Sequence, residues 1–373
     1  NMCQKQFPTN IRILRCPNCG GDLEFEIKGQ IDFEKIINKD ENSMWRYKDI
    51  LPIKKEYIVS DHEGNTPVIY LEDISKKYDI KFYVKLESEN PTGTFKDREA
   101  SFVISRSKEL GQNDIVLQST GNTGIAITYY SSLAEMRSYF FGPLLSDYKL
   151  IMPNKSKNAK IILVDGDPVD IKSLATDFSL MHNFPKISPF YERCEANVTL
   201  GYEIAEAMLN NKLPEFDFYV QTIAAGMGPI GFYTGMKRAS KWTHNKIKLP
   251  RIIAVQISEF APIQEAWDLD MEQVGPKGIT PKFNSEKPYE PTLHTTNAPA
   301  YYPYLRKLLK ETDGILTKVD PNFVNKYISE LRESLNNKEI ILTETENSSF
   351  IGYAGMIQKI KELMAVNDEI GII

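Results

Sequence analysis

From about residue 80 onward, short apolar segments alternate with segments whose apolar residues recur at helical spacing. The apolar segments are nearly continuous, which is typical of strands that are covered on both faces of a sheet. They predict strands over residues 80–87, 114–119, 149–152, 160–164, 216–223, 252–257 and 340–343. The other segments predict helices over residues 98–110, 124–136, 168–183, 201–211, 323–336 and 350–366. Repeated alternation of this kind predicts a doubly wound α/β fold with mainly parallel sheets.

Two regions depart from this alternation. Residues 1–65 are polar, rich in Lys and Asp, and show little periodicity, so we expect an N-terminal extension that packs on the body of the protein. Residues 270–305 concentrate Pro, Thr and Asn, which predicts a long loop over the surface.

Composition and charge exclude several classes of protein. Of the 373 residues, 42% are hydrophobic and 25% are charged, as in ordinary folded globular proteins. The net charge of −5, with both signs interspersed, argues against a nucleic-acid partner. No apolar run approaches the roughly 20 residues that span a bilayer, and four cysteines are too few for a disulfide framework. We therefore expect a cytoplasmic protein without a membrane partner.

The segment of residues 89–98, called the lysine loop, lies between a predicted strand and a predicted helix. A turn built on Asn90, Pro91 and Gly93 presents a single lysine, Lys96, where the helix begins. A lysine held there, partly desolvated, is suited to form a Schiff base. An exposed lysine at the start of a helix would give the same local pattern.

Two further loops that follow predicted strands favour anions. Residues 119–124, the threonine loop, and residues 224–231, the glycine loop, each combine small residues with the start of a helix. Free N–H groups at a helix N-terminus bind carboxylates and phosphates. An ordinary tight turn, or close packing of helix on strand, would produce the same composition.

The three loops together predict one site, because ligands bind beyond the carboxyl ends of the strands in open parallel sheets. One lysine and two anion-binding loops would then converge. Pyridoxal 5'-phosphate carries both an aldehyde and a phosphate and therefore fits this set of groups.

These motifs resemble those of the fold-type II pyridoxal-phosphate enzymes. The resemblance rests on residues 90–98, on the threonine loop and on Gly226-Met227-Gly228, and within the group it is greatest to the threonine synthase family, including its cysteate synthase-like relatives. It implies an α/β fold similar to that of the tryptophan synthase β subunit, with two open parallel-sheet domains and an N-terminal extension. Residues 66–100 with 200–373 would form the large cofactor-binding domain, and residues 101–199 the smaller one.

The resemblance also implies roles for individual residues. Lys96 would form the Schiff base with the cofactor and then move protons at Cα and Cβ, while Phe95 would flank the cofactor and Asn122 would hydrogen-bond its 3'-oxygen. The substrate carboxylate would be held by Ser119, Thr120 and Thr123. The cofactor phosphate would be held by Ala225, Gly226, Met227 and Gly228.

Three departures from the family pattern bear on these roles. In the family, a Ser or Thr that follows a strand late in the sequence pairs with the pyridine nitrogen of the cofactor. This sequence ends at residues 369–373, where that strand begins. Glu344 and Thr345 stand where relatives carry Glu-Pro, which makes Thr345 a weak substitute for that partner. Ala224 and Ala225 replace glycines of many relatives in the glycine loop.

Cys16 and Cys19 have the spacing of half a zinc ribbon. A closed structural site needs four ligands, and Cys3 is the one further cysteine close in sequence, with His62 a more remote candidate. We therefore favour a turn without metal and expect no metal site.

The resemblance favours a reaction at the β or γ carbon of an amino acid. The leading hypothesis is a threonine synthase-like conversion of O-phosphohomoserine to threonine. The alternatives are β-replacement on O-phosphoserine, as in cysteate or cysteine synthases, a serine or threonine dehydratase, and a catalytically inactive protein that binds pyridoxal phosphate. A phosphorylated substrate needs basic groups, for which Lys85, Arg98 and Lys155 are candidates, and the family resemblance implies a homodimer.

Overall fold

The computed structural model describes residues 3–149, 158–187, 189–275, 288–342, 347–363 and 371–372. Those residues contain the strands β1 (Val68–Tyr70), β2 (Lys81–Lys85), β3 (Asp114–Gln118), β4 (Arg137–Pro143), β5 (Ala159–Val164), β6 (Phe218–Thr222), β7 (Arg251–Ile257), β8 (Ile315–Val319) and β9 (Gly371–Ile372). Their helices are α1 (Phe33–Ile36), α2 (Glu72–Tyr78), α3 (Lys96–Glu109), α4 (Asn122–Leu133), α5 (Pro168–His182), α6 (Phe190–Leu209), α7 (Met227–Trp242), α8 (Pro262–Asp268), α9 (Ala298–Glu311), α10 (Pro321–Asn325), α11 (Ile328–Asn336) and α12 (Ser348–Leu363).

Two three-stranded parallel sheets form the framework of the protein. One pairs β3, β4 and β5 in that order, and the other pairs β6, β7 and β8. A third sheet joins β1 antiparallel to β2 and β2 parallel to β9. The α/β fold with mainly parallel sheets is therefore confirmed. The first sheet lies within predicted domain residues 101–199 and the second within 200–373, although the domain boundaries themselves stay a prediction.

The strand predictions are partly correct. Predicted strands overlap β2, β3, β5, β6 and β7, while β1, β4 and β8 were missed. The prediction over residues 340–343 is wrong for residues 340–342, because Ile340 N–H closes the end of α11 by donating to Leu335 and Ile341 is exposed. Of the predicted strand over residues 149–152, Lys149 lies in a 3-10 helix and residues 150–152 are outside the described residues.

Helix α6 starts at residue 190, well before the predicted residue 201. Its first half carries Glu192 and Glu195, whose charges disguise the helical pattern of apolar residues. Both carboxylates are buried, because Arg12 Nε lies 2.9 Å from Glu192 and Arg238 Nη1 lies 2.7 Å from Glu195. Ion pairing thus allows a polar helix face to enter the core.

The predicted loop over residues 270–305 also differs from the structure. Residues 276–287 are outside the described residues, but residues 298–305 belong to α9. The helix contains Pro303, which lowers helical propensity and disguised the element in the sequence.

The N-terminal extension packs against α3 and α6. Trp45 is buried, and its indole N–H is shared by Glu63 and Ser101, each at 2.9 Å. The same ring stacks on Phe102 of α3, with 6.3 Å between ring centroids. Among the described helices, none is long and apolar enough to traverse a membrane.

Candidate active site

The lysine, threonine and glycine loops meet around one cavity of about 280 Å³. They follow β2, β3 and β6 respectively, so the site forms beyond the carboxyl ends of these strands. All ten residues to which the resemblance gives a role line this cavity: Phe95, Lys96, Ser119, Thr120, Asn122, Thr123, Ala225, Gly226, Met227 and Gly228. The structure brings the predicted site residues together, and their individual roles stay predictions.

The turn before α3 is held by Asp97. Its carboxylate accepts hydrogen bonds from the backbone N–H and the hydroxyl of Thr92, at 2.8 and 2.7 Å. Gly93 N–H also donates to the Asn90 carbonyl at 2.8 Å, with the left-handed φ of +78° that suits glycine. These bonds fix the position at which Lys96 starts the helix.

The Lys96 side chain is largely enclosed at the cavity wall, with 16% of its surface exposed. Its ammonium donates to Glu99 Oε1 at 2.8 Å, and its Nζ lies 3.8 Å from the centroid of the Phe95 ring. Burial lowers the pKa of Lys96 to about 8; Glu99 opposes this shift and Arg193 adds to it. The cavity thus contains an amine that gives up its proton more readily than an exposed lysine.

Glu99 joins Lys96 to a second wall of the cavity. Its other oxygen, Oε2, accepts from Arg193 Nε at 2.7 Å, and Arg193 Nη1 donates to the Tyr301 hydroxyl at 3.2 Å. Asn197 adds a bond to Oε1 at 2.8 Å. Burial alone would raise the pKa of Glu99, but the charges of Arg193 and Lys96 outweigh it and lower the pKa to about 2. Glu99 therefore stays ionised and holds both cations in place.

The glycine loop presents unpaired N–H groups at the start of α7. Gly226 adopts a φ of +92°, which turns the chain into the helix at Met227. Within the described residues, the backbone N–H groups of residues 225–228 have no hydrogen-bond acceptor. The dipole of the 16-residue helix adds to their attraction for an anion. This arrangement fits a phosphate group.

The threonine loop is fixed between a strand and a 3-10 helix. Thr120 donates its hydroxyl to the Thr292 carbonyl at 3.2 Å, in the 3-10 helix Pro291–Leu293. A Cβ atom on Gly124 would lie 2.1 Å from the Phe140 ring, so glycine is required where α4 packs on β4. The loop therefore presents its hydroxyl groups and the N-terminus of α4 from a rigid position.

Two lysines of the smaller predicted domain also line the cavity. Lys186 donates to the Thr176 hydroxyl at 2.8 Å, and burial together with the charge of Lys172 lowers the pKa of Lys186. In the described part of the chain, neither ammonium group pairs with a carboxylate. Among the described residues, therefore, no carboxylate neutralises the positive charge that these two lysines bring to the cavity.

The basic residues suggested by the sequence do not supply this charge. Lys85 and Arg98 are buried against Glu203, at 2.8 and 2.5 Å, and do not line the cavity. They were wrong as candidates because charge alone does not reveal which lysine or arginine already has a buried partner. Lys155, like the region of Glu344 and Thr345, lies outside the described residues.

The residues present fit pyridoxal phosphate. The Lys96 amine offers a partner for the aldehyde, and the N–H groups of residues 225–228 offer donors for the phosphate. The Phe95 ring lies beside the amine. Covalent, anionic and aromatic contacts are thus all available around the same cavity.

The polar site residues that sequence reasoning missed include Glu99, Lys172, Lys186, Arg193 and Tyr301. Glu99 had a usable signal, because it follows Lys96 by three positions on one face of α3. Arg193 and Tyr301 lie in the unrecognised parts of α6 and α9, so no local pattern connected them to the lysine.

Comparison with known proteins agrees with this geometry. A family model described as pyridoxal-phosphate dependent enzyme matches residues 59–360. Threonine synthase from Methanocaldococcus jannaschii is 30% identical, with 98% of this chain aligned to 88% of that protein. Threonine synthase from Methanosarcina acetivorans is 29% identical over 76% of this chain and 69% of that protein.

Solved structures show the same fold at lower sequence identity. Maize serine racemase matches with a TM-score of 0.64 at 18% identity, covering 83% of this chain and 88% of that one. The processed form of threonine deaminase isoform 2 from Solanum lycopersicum matches with a TM-score of 0.65 at 16% identity, covering 97% and 93%. At these identities the likeness establishes the fold alone.

Proposed function

The chain belongs to the threonine synthase family of pyridoxal-phosphate dependent enzymes, and from this premise we propose that it acts on a phosphorylated amino acid. The proposed substrate is O-phosphohomoserine. Water adds at its Cβ and inorganic phosphate leaves from its Cγ, which yields threonine. Relatives named threonine synthase, one of them aligned along 98% of the chain, support this choice.

The observation that carries the proposal is the pair of cations formed by Lys172 and Lys186 on the wall of the cavity that contains Lys96. The glycine loop supplies donors for one phosphate, that of the cofactor. The two lysines supply charge for a second phosphate, because a phosphate monoester carries about −1.5 to −2 at neutral pH. Serine and threonine carry no phosphate to pair with these cations, which argues against a dehydratase.

When bound, pyridoxal phosphate supplies an aldehyde that combines with amines and a ring that accepts electrons from Cα. We assign Lys96 to hold the aldehyde and the N–H groups of residues 225–228 to hold the phosphate. Once substrate occupies the site, the Lys96 amine takes the proton from Cα and returns protons to the carbon skeleton. Its pKa of about 8 suits both tasks, since a base works best when its pKa lies near the operating pH.

Glu99 and Arg193 act as positioning residues. The ionised Glu99 fixes the Lys96 amine through Oε1, while Oε2 is occupied by Arg193, which also donates to the Tyr301 hydroxyl. The hydroxyls of the threonine loop, at the N-terminus of α4, receive the substrate carboxylate. Together these contacts would orient Cα toward the amine and limit the freedom of the substrate.

A substrate screen tests the proposed reaction. Purified holoenzyme is supplied separately with O-phosphohomoserine, O-phosphoserine, serine and threonine, with and without sulfite or sulfide, and products are read by mass spectrometry. We expect threonine and phosphate in equal amounts from O-phosphohomoserine. Oxoacid and ammonia from serine or threonine, without turnover of either phosphorylated substrate, would contradict the proposal. A yellow protein without any product would indicate a non-catalytic binding protein.

The role of the two lysines has its own test. In the double variant Lys172→Gln and Lys186→Gln, we expect KM for O-phosphohomoserine to rise about tenfold or more, because two charge-assisted contacts to phosphate are lost. The matched control is Lys160→Gln, an exposed lysine on β5 that does not line the cavity. An unchanged KM in the double variant would remove the basis for a phosphorylated substrate.

A further inference from the structure

Three cysteines converge at the beginning of the N-terminal extension, away from the cavity. The Sγ atoms of Cys3, Cys16 and Cys19 all lie within 4.8 Å of one another. The Cys3 and Cys16 sulfurs are 3.6 Å apart. Sequence reasoning favoured a turn without metal because the Cys16 and Cys19 pair had too few partners, and the structure supplies Cys3 as a third.

The backbone holds two of these sulfurs in a tight turn. Gly20 N–H donates to the Cys16 carbonyl and Cys16 N–H donates to the Gly21 carbonyl, both at 2.8 Å. Gly20 has a φ of +70°, which closes the turn. This turn carries Cys16 and Cys19 together, and the chain before it brings Cys3 across to them.

The spacing of the sulfurs fits a tetrahedral metal ion. Zinc bound to thiolates at about 2.3 Å places neighbouring sulfurs about 3.8 Å apart in a tetrahedron. The 3.6 Å between Cys3 and Cys16 agrees with that edge, whereas a disulfide requires about 2.05 Å. A disulfide would also use only two of the three sulfurs. Soft thiolate ligands select zinc over magnesium or calcium.

We propose that Cys3, Cys16 and Cys19 bind one zinc ion through three thiolates. Within the described residues this cluster offers three of the four ligand atoms that a tetrahedral zinc ion takes. Such an ion would close the chain between residues 3 and 16 into a loop. That loop contains Arg12, which bonds Glu192 of α6 at 2.9 Å and Ser107 of α3 at 3.1 Å. The metal would therefore fasten the extension to the helices that carry Glu99 and Arg193.

Metal analysis of the holoenzyme tests the proposal directly. Protein produced with added zinc and passed through gel filtration is assayed by mass spectrometry for zinc. We expect about one zinc ion per chain, and at least about a tenfold lower content in Cys16→Ser and Cys19→Ser. Cys194→Ser is the matched control, because this cysteine lies on α6 and outside the cluster. Wild-type protein without zinc, even after incubation with zinc chloride, would overturn the proposal.

Cobalt substitution and thiol counting keep the test independent of how well the variants fold. Cobalt in a tetrahedral thiolate site absorbs in the red, where the cofactor does not, so wild-type protein loaded with cobalt chloride should gain these bands. Metal-free protein should react as four free thiols with Ellman's reagent after denaturation. Two thiols instead of four, restored by reductant, would show a disulfide and contradict the zinc site.

Discussion

Helix α3 begins with two clusters of buried charge that share similar chemistry and differ in their access to the cavity. The lysine cluster consists of Lys96, Glu99, Arg193 and Tyr301. The arginine cluster consists of Arg98, Glu87, Glu203 and Lys85. Lys96 and Arg193 line the cavity, whereas the side chain of Arg98 has no exposed surface. Lys96, which lines the cavity, and Arg98, which is sealed from it, are thus only two positions apart on one helix.

The balance of charge explains the different behaviour of the two bases. Arg98 bonds both carboxylates of its cluster, with Glu203 at 2.5 and 2.8 Å and Glu87 at 2.8 Å on two atoms. Burial alone would lower the pKa of Arg98, but these carboxylates outweigh it and raise the pKa well above its usual value. Lys96 shares one carboxylate with Arg193, so burial prevails there and lowers its pKa to about 8. Burial therefore lowers the pKa of a buried cation, and so favours a base, only where nearby carboxylates do not offset the effect of burial.

The largest effect is expected from Lys96→Ala. This substitution removes the amine that we propose holds the cofactor and acts as the base, so we expect turnover to fall by about 10³-fold or more. The yellow colour of the protein with its cofactor should disappear, as read by absorbance. Lys108→Ala is the control, since Lys108 is an exposed lysine near the other end of α3. Retained colour in the Lys96 variant would place the attachment point elsewhere.

Arg98→Met should instead act on stability. The change leaves Glu87 and Glu203 buried with less compensation, and breaking such a cluster costs about 3–5 kcal/mol in the free energy of unfolding. Urea unfolding of the holoenzyme measures this loss. Arg137→Met is the control, because Arg137 pairs with Asp114 at the surface and should change stability little. Lost turnover with unchanged stability would move Arg98 into the catalytic machinery.

The same contrast shows how far sequence reasoning reaches. Lys96, the threonine loop and the glycine loop could be predicted, because each occupies a short segment between a strand and a helix and contains its own turn residues. Arg193 could not be predicted as a site residue, because it lies 94 positions from Glu99 in the sequence. It also lies in the first half of α6, whose sequence looks too polar to be buried. Local patterns identify loops, whereas long-range ion pairs become visible only when the fold brings their elements together.

The fold shows a corresponding limit. Predicted strands overlapped β3, β6 and β7 because each is a continuous apolar run with a partner on at least one side. The run at residues 340–342 is equally apolar, but its first N–H serves to close a helix and Ile341 faces solvent. Whether an apolar run becomes a strand depends on a neighbouring strand, which the segment itself does not specify.

The smallest effect is expected from Glu99→Gln, which tests how far the Glu99 carboxylate sets the pKa of Lys96. Glu99→Gln removes the carboxylate that raises the pKa of Lys96 and keeps an oxygen that accepts its hydrogen bond. The pKa of Lys96 should then fall further below about 8, by about one unit. Only the neutral amine attacks an aldehyde, so cofactor uptake by the apoenzyme rises with pH through this pKa. The midpoint of the uptake rate, followed by yellow absorbance, should move to lower pH.

The direction of that shift distinguishes an electrostatic role from a structural one. At pH 7 the variant should take up the cofactor faster than the wild type, by up to about tenfold, because a larger fraction of its amine is neutral. Glu195→Gln serves as the control, since Glu195 pairs with Arg238 and has no contact with Lys96. A midpoint that stays fixed, or moves to higher pH, would mean that Glu99 does not hold up the pKa of Lys96. The difference between the two clusters would then require another cause, namely the access of water to the cavity.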